Sequence, residues 1–317
     1  MTENNVALYF LKALKQEGIE HIFLVPGYNI DLFVESYAEA DICAVVAAHE
    51  GGAAFMADGY ARARQGFGVC MGLAGPGISN MVTAIAAAYA DRSPVLVVTA
   101  ALPPEWDGDG PFQDSSPNGI DDCEIMRPIT VWAQRIRAVY KQKANRENEN
   151  DPVFQIHPAY DKVGDFLQKA IRAMRGVENR PAFLSMPLEM MKENYEQHSY
   201  QRLCMNEPAR VIDNHSVKDV PAILANATRI TILAGNGCVW SQANQAIQEF
   251  AEEFSIPVVT TLRAKGLISE EHELSFGFFG VSGTLQANKV VMGNAENPKI
   301  SGTEVLLVLG ATLNENN

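Results

Sequence analysis

Apolar positions along the chain fall into two patterns that alternate. Val6, Tyr9, Phe10 and Leu14 recur at helical spacing, and Gly18 closes that segment. Five short apolar runs, 21–25, 42–48, 68–73, 94–101 and 182–186, read as strands. They lack the alternation of a half-exposed strand, so each is expected to be buried on both faces. Helix-like segments separate them. One runs through Leu32, Phe33 and Tyr37, with Asn29 or Asp31 as its cap. Others cover 51–64, an alanine-rich stretch ending near Asp91, and 160–175. Buried strands separated by helices predict a parallel sheet covered on both sides.

The pattern lapses twice. Residues 102–128 are irregular and rich in Pro, Gly and Asp, and a loop of that length in an α/β domain is usually functional. Residues 141–151 are almost wholly polar and read as a solvated surface loop. From 189 to 214 the chain is polar and without periodicity, as a linker would be. A second α/β unit follows: a strand at 229–234, the turn Gly235-Asn236-Gly237, a helix at 241–254, and a strand at 256–261. A glycine-spaced segment at 277–283 and a strand at 305–309 complete it. The expected fold class is α/β, with two doubly wound parallel-sheet domains at 1–190 and 216–317 joined by a linker at 191–215. The sequence stops soon after a strand, so the second domain is expected to be incomplete.

The length of 317 residues agrees with two domains. The net charge of -13 argues against nucleic acid or an anionic membrane as partner. It leaves a phosphate-bearing ligand open, because backbone amides or a metal can hold phosphate. Residues 1–5 show no secretory leader. The most apolar stretch, Ile78 to Ala90, is interrupted by Asn80 and Thr83 and falls short of a membrane span. The five cysteines, 43, 70, 123, 204 and 238, are scattered and form no CxxC. That fits a reducing, cytoplasmic setting and argues against a zinc site.

One stretch concentrates the candidate chemistry: His49 to Arg62, with Glu50 between the run 42–48 and the following helix. The helix dipole favours a carboxylate there, which is a purely structural use. Gly51-Gly52, however, is a poor helix start unless something must approach the backbone closely. A second glycine turn, Gly75-Pro76-Gly77, follows the next strand.

Residues 1–190 resemble the pyrimidine-binding domain of thiamine-diphosphate enzymes of the acetolactate synthase group. The resemblance rests on Val25-Pro26-Gly27, on His49 to Arg62, and on Gly75-Pro76-Gly77 with Asn80. It also rests on the alanine-rich helix to Asp91 with Ser93-Pro94, on Phe112-Gln113, and on Arg127 to Thr130 before Trp132-Ala133. Residues 216–317 resemble the Rossmann-like central domain of the same group. There the matches are Gly235-Asn236-Gly237, Thr260-Thr261-Leu262, Lys265-Gly266, Gly277 to Gly283 with Thr284, and Leu309-Gly310-Ala311.

The resemblance implies a carboligase or decarboxylase acting on a 2-oxo acid with thiamine diphosphate. It makes Glu50 the carboxylate that hydrogen-bonds the pyrimidine N1′ and so activates the cofactor. It places Pro26, Gly27, Gly75 and Gly77 where backbone approaches the flat ring. Asn80 either caps its helix or contacts the cofactor. Phe112 and Gln113 would line the substrate pocket, usually of the neighbouring subunit, in a homo-oligomer whose active sites form between subunits. Some relatives bind FAD in the central domain, which implicates Gly235, Gly237, Thr261, Leu262 and Gly283; a vestigial nucleotide fold accounts for the same glycines. Mg²⁺ would be held by a Gly-Asp-Gly motif after a strand, on a diphosphate-binding domain that this sequence lacks. Gly108-Asp109-Gly110 is not that motif, because no apolar strand enters it and Pro111 follows. No metal ligand is therefore assigned here. An alternative is a non-catalytic or regulatory chain that needs a partner carrying the diphosphate and Mg²⁺ site. A Rossmann oxidoreductase is disfavoured, since no Gly-x-Gly-x-x-Gly follows a strand with an acidic residue at the next strand end. A lengthened loop at 114–126, and Val131 where many relatives have Lys, leave the particular 2-oxo acid and acceptor open.

Overall fold

A computed structural model describes residues 5–28, 30–102, 113–136, 139–143, 153–157, 160–176, 179–192, 199–203, 214–294, 297 and 301–313. The chain divides into two compact units, Met1–Met205 and Asn206–Asn317. The division falls within the stretch 191–215 expected as a linker. Among the described residues no helix is long and apolar enough to cross a membrane.

The first unit begins with helix α1 (Val6–Gln16), strand β1 (His21–Leu24), helix α2 (Val34–Glu39) and strand β2 (Cys43–Val46). Helix α3 (Glu50–Arg64), strand β3 (Gly68–Gly72), helix α4 (Pro76–Ala90) and strand β4 (Val95–Ala101) follow. After the short α5 (Asp122–Met126) come β5 (Trp132–Arg135), the pair β6 (Val139–Lys143) and β7 (Val153–His157), α6 (Tyr160–Met174), β8 (Ala182–Pro187) and α7 (Leu188–Lys192). Six strands form one parallel sheet in the order β2-β1-β3-β4-β8-β5.

Strand geometry sends successive side chains to opposite faces, and the two cores of this unit follow that rule. Val69, Met71, Leu96, Val98, Ala182 and Leu184 join the core built with α1 and α6. Cys70, Val95, Val97 and Phe183 join the one built with α3 and α4. The helix contacts explain the continuous apolar runs. Asn5 caps α1, its side chain accepting the Leu8 N–H at 2.9 Å, so that Val6, Phe10 and Leu14 enter the core in register.

Two expectations need correction. The run 42–48 is not a buried strand. β2 is the outer strand of the sheet and pairs with β1 alone, leaving Val46 63% exposed. Local hydrophobicity does not report position in the strand order. The stretch 141–151 is not wholly loop either: Lys141–Lys143 lie in β6, which pairs antiparallel with β7. Toward the end of the unit, Met190 and Met191 are fully buried, and Glu17 accepts hydrogen bonds from the Tyr200 hydroxyl and the Leu203 N–H.

The second unit contains α8 (Asn214–Val217), α9 (Val220–Asn226), β9 (Ile230–Ala234), α10 (Asn236–Trp240) and α11 (Asn244–Phe254). It continues with β10 (Val258–Thr260), β11 (Ser275–Phe278), α12 (Leu285–Met292) and β12 (Val305–Leu309). Its four parallel strands are ordered β11-β10-β9-β12. Ile232 and Val258 pack with α10 and α11 on one face, and Leu233 and Val259 with Ala287 of α12 on the other. Both units are therefore α/β with parallel sheets covered from two sides.

Candidate active site

Glu50 is the first residue of α3 and is buried. His49 makes that start possible. Its backbone is extended, and its Nδ1 accepts the Gly51 N–H at 3.0 Å, so the imidazole serves as the N-cap. The inner face of α3 is built from Ala53, Ala54, Ala57 and Ala61, all fully buried. Small side chains let the helix lie close on the sheet. Gly68 completes the fit: a Cβ there would stand 2.0 Å from the Ala57 carbonyl oxygen. Sequence pattern gave no sign of that glycine's role.

Asn80 does not cap its helix. Helix α4 starts four residues earlier, with Pro76 in its first turn and Gly75 as the residue before it, so Asn80 is not a cap. Its side-chain Nδ2 donates instead to Glu50 Oε2, at 3.0 Å. This bond joins two residues 30 apart in the sequence, one at the start of α3 and the other in the second turn of α4. Among the described residues none donates to Glu50 Oε1. Gly77 lies beside that free oxygen, and a Cβ on it would be 3.5 Å away.

The glycines of the site divide by what surrounds them. At Gly27 a Cβ would come within 2.6 Å of Leu73, so its absence is accounted for by packing. Gly75 needs φ +72°, a backbone that favours glycine, and its open side has nothing nearer than the Gln113 backbone at 3.8 Å. Gly52 faces open space within 4 Å. Pro26 precedes Gly27 in the turn after β1. Gln113 adopts φ +62° and lies beside Gly75. Phe112 and the triplet Gly108-Asp109-Gly110 lie outside the described residues.

A thiamine ring fits these surroundings on two observations. One Glu50 carboxylate oxygen has no donor among the described residues, and the turn beside it carries glycine at 75 and 77 and so presents no side chain to that oxygen. A protonated ring nitrogen supplies such a donor.

Asp122 was not singled out by sequence. It is fully buried and accepts the Gly75 N–H on both carboxylate oxygens, at 3.2 and 3.1 Å. Burial pushes its acid up to about 7, against the opposing pull of the Gly75 N–H and Arg135. The adjoining Asp121 looked like the same polar run, but it caps α5 by accepting the Cys123 N–H.

In the second unit the flavin-associated glycines meet the chain's own backbone. A Cβ at Gly235 would stand 2.3 Å from Ala311 Cα, and one at Gly237 would stand 2.9 Å from Gly310 Cα. At Gly283 it would meet the Phe278 carbonyl oxygen at 2.6 Å. Thr261 is buried, its N–H bonded to the Ala234 carbonyl, while Leu262 is exposed. Internal packing accounts for all three glycines without a ligand.

Comparison with known proteins bears on both units. Residues 4–124 match the family described as thiamine pyrophosphate enzyme, N-terminal TPP binding domain, and residues 217–317 match thiamine pyrophosphate enzyme, central domain. A probable acetolactate synthase large subunit of Methanococcus aeolicus is 30% identical over 98% of this chain and 47% of its own length. Another, of Methanocaldococcus jannaschii, is 32% identical over 89% of the chain and 44% of its own. A glyoxylate carboligase of Escherichia coli O157:H7 is 30% identical over 88% and 44%. The chain thus spans just under half the length of these relatives. With two parallel-sheet units matching two successive domain families in order, the chain belongs to the thiamine pyrophosphate enzymes and carries their N-terminal and central domains.

Proposed function

We propose that this chain is the cofactor-activating part of a thiamine-diphosphate enzyme that decarboxylates or ligates 2-oxo acids, as acetolactate synthase does, with Glu50 as the activating carboxylate. When bound, thiamine diphosphate supplies a nucleophilic carbon and an electron sink for the carbonyl substrate. The residues of the chain do the rest. Glu50 Oε1 shares a proton with the pyrimidine N1′. Asn80 holds the other oxygen and so fixes the carboxylate's rotamer. His49 fixes the helix start that carries Glu50. Ala53 and Ala54 keep water from the acid's inner side, and the Gly75–Gly77 turn lets the ring lie flat.

The observation that carries this reading is the largely buried Glu50, with one carboxylate oxygen tied to Asn80 and the other, beside Gly77, without a donor among the described residues. The diphosphate and its Mg²⁺ are assigned to a separate domain, brought by a longer chain or a neighbouring subunit. Phe55 and Met56 on α3, and Val46 at the end of β2, expose apolar surface suited to such a neighbour. The test is turnover of pyruvate, 2-oxobutanoate and glyoxylate by the enzyme assembled with its diphosphate-binding domain. Carbon dioxide release that depends on thiamine diphosphate is expected with at least one of them. No cofactor-dependent turnover of any would overturn the proposal.

Asn80→Ala supplies a finer check. Losing a hydrogen bond to a charged group is expected to weaken cofactor binding roughly tenfold in the same assembled enzyme. Calorimetric titration reads it, and an unchanged Kd would mean that Asn80 does not support Glu50.

A further inference from the structure

The proposed function leaves one buried acid unused. Asp122 reaches 47 residues back along the sequence to a single backbone N–H, that of Gly75. That N–H opens the turn before α4, where no side chain caps the helix. Gly77, two residues on, is the glycine that abuts Glu50 Oε1, and Gln113 backs directly onto Gly75. The carboxylate therefore holds one end of the turn whose other end, Gly77, lies beside Glu50 Oε1.

We propose that Asp122 is a positioning residue: by holding the Gly75 N–H it fixes the glycine turn, and through the turn it sets Gly77 against Glu50. The functional meaning of this rests on Glu50 being the activating acid; the grip itself does not.

α5 packs against α4, β5, β8 and the short helical turn Arg127–Ile129. β5 contributes Arg135, whose guanidinium donates to the Ser115 carbonyl and lies 3.4 Å from Asp121. Arg127 is engaged with Glu124 on the outside of the helix. α4 brings only Tyr89, which stacks against Arg180, and β8 brings no titratable group. Asp121 and Cys123 flank the acid on its own chain, and the buried Ser115 hydroxyl adds the weakest pull.

The carboxylate is thus held near neutrality by opposed causes. Burial dominates and raises it to about 7, Asp121 adds to the rise, and Gly75 and Arg135 lower it. Ionised, Asp122 offers Gly75 a charge-assisted bond on two oxygens. Protonated, it keeps one good acceptor, and the grip loosens. Stability runs the other way. Because the folded value is raised, the folded state binds the proton more tightly than the unfolded chain does. The contribution is complete below the unfolded value near 4 and is lost as pH rises through about 7.

The test uses the full 317-residue chain, labelled with ¹⁵N and without cofactor. The Gly75 amide and the Asn80 side-chain amide are followed by NMR from pH 5 to 8.5. Both are expected to titrate with a common midpoint near 7. Asp122→Asn, which keeps the shape and one acceptor, is expected to abolish both transitions. Its melting temperature should exceed that of the wild type by a margin that grows between pH 5 and pH 8, reaching about 5 °C. A flat Gly75 amide in the wild type, or a transition that persists in Asp122→Asn, would overturn the proposal. So would a Gly75 transition with no response at Asn80, since the turn would then not reach Glu50. None of these readouts involves the cofactor, so a failure here is distinct from a failure of the Glu50 assignment.

Discussion

Glu50→Gln is expected to slow exchange of the cofactor's C2 proton by at least roughly a hundredfold in the assembled enzyme. The substitution keeps size and shape. A glutamine oxygen can still accept the Asn80 Nδ2–H, and the His49 cap on Gly51 is untouched. The only local cost is a lost negative charge at a helix start, about 0.3–1 kcal/mol. What the amide cannot do is share a proton with N1′ as an anion. Deuterium exchange at C2, followed by quenched-flow NMR, separates these effects. Exchange within a few-fold of the wild type would remove Glu50 from the mechanism.

The second large effect lies in the packing that places Glu50. Gly68→Ala is expected to destabilise the first unit by about 3 kcal/mol or more. The added methyl would fall 2.0 Å from the Ala57 carbonyl oxygen and 2.7 Å from its carbon, and neither is a flexible side-chain end. Either α3 lifts from the sheet or β3 shifts. Both move the helix that begins with Glu50, and a displacement of about 1 Å at such a site costs on the order of a hundredfold in rate. Gly66→Ala is the control, since nothing lies within 4 Å of its would-be Cβ. Urea unfolding should show a much lower midpoint for Gly68→Ala and a near-normal one for Gly66→Ala. Matching midpoints for the two would mean that the close approach of α3 to β3 is not required.

How far the site was legible depends on the range of each contact. Glu50 stood out because an acid followed by two glycines interrupts an otherwise apolar passage. The parallel sheets were legible too, since strands buried on both faces carry runs such as Pro94 to Ala101. β2 misled, because the same apolar signature fits a strand at the sheet's edge. Asn80 misled for a nearer reason: Pro76 signals a helix start, and four residues on its face turns toward Glu50. Asp122 and Gly68 were silent. One lies in the irregular stretch 102–128, the other opens a strand, and the partner of each lies on another element. The glycines at 235 and 237 look equally apt for a nucleotide or for the chain's own backbone, and only coordinates show Gly310 and Ala311 already there.

A crystal structure of the assembled enzyme with thiamine diphosphate and Mg²⁺ bound tests the central claim most directly. Its decisive quantity is the distance from Glu50 Oε1 to the pyrimidine N1′. We expect a hydrogen bond of about 2.6–3.2 Å, with the Asn80 bond to Oε2 kept and the ring lying along the Gly75–Gly77 turn. A ring bound elsewhere, with Glu50 Oε1 still unpaired or turned to another partner, would contradict the account.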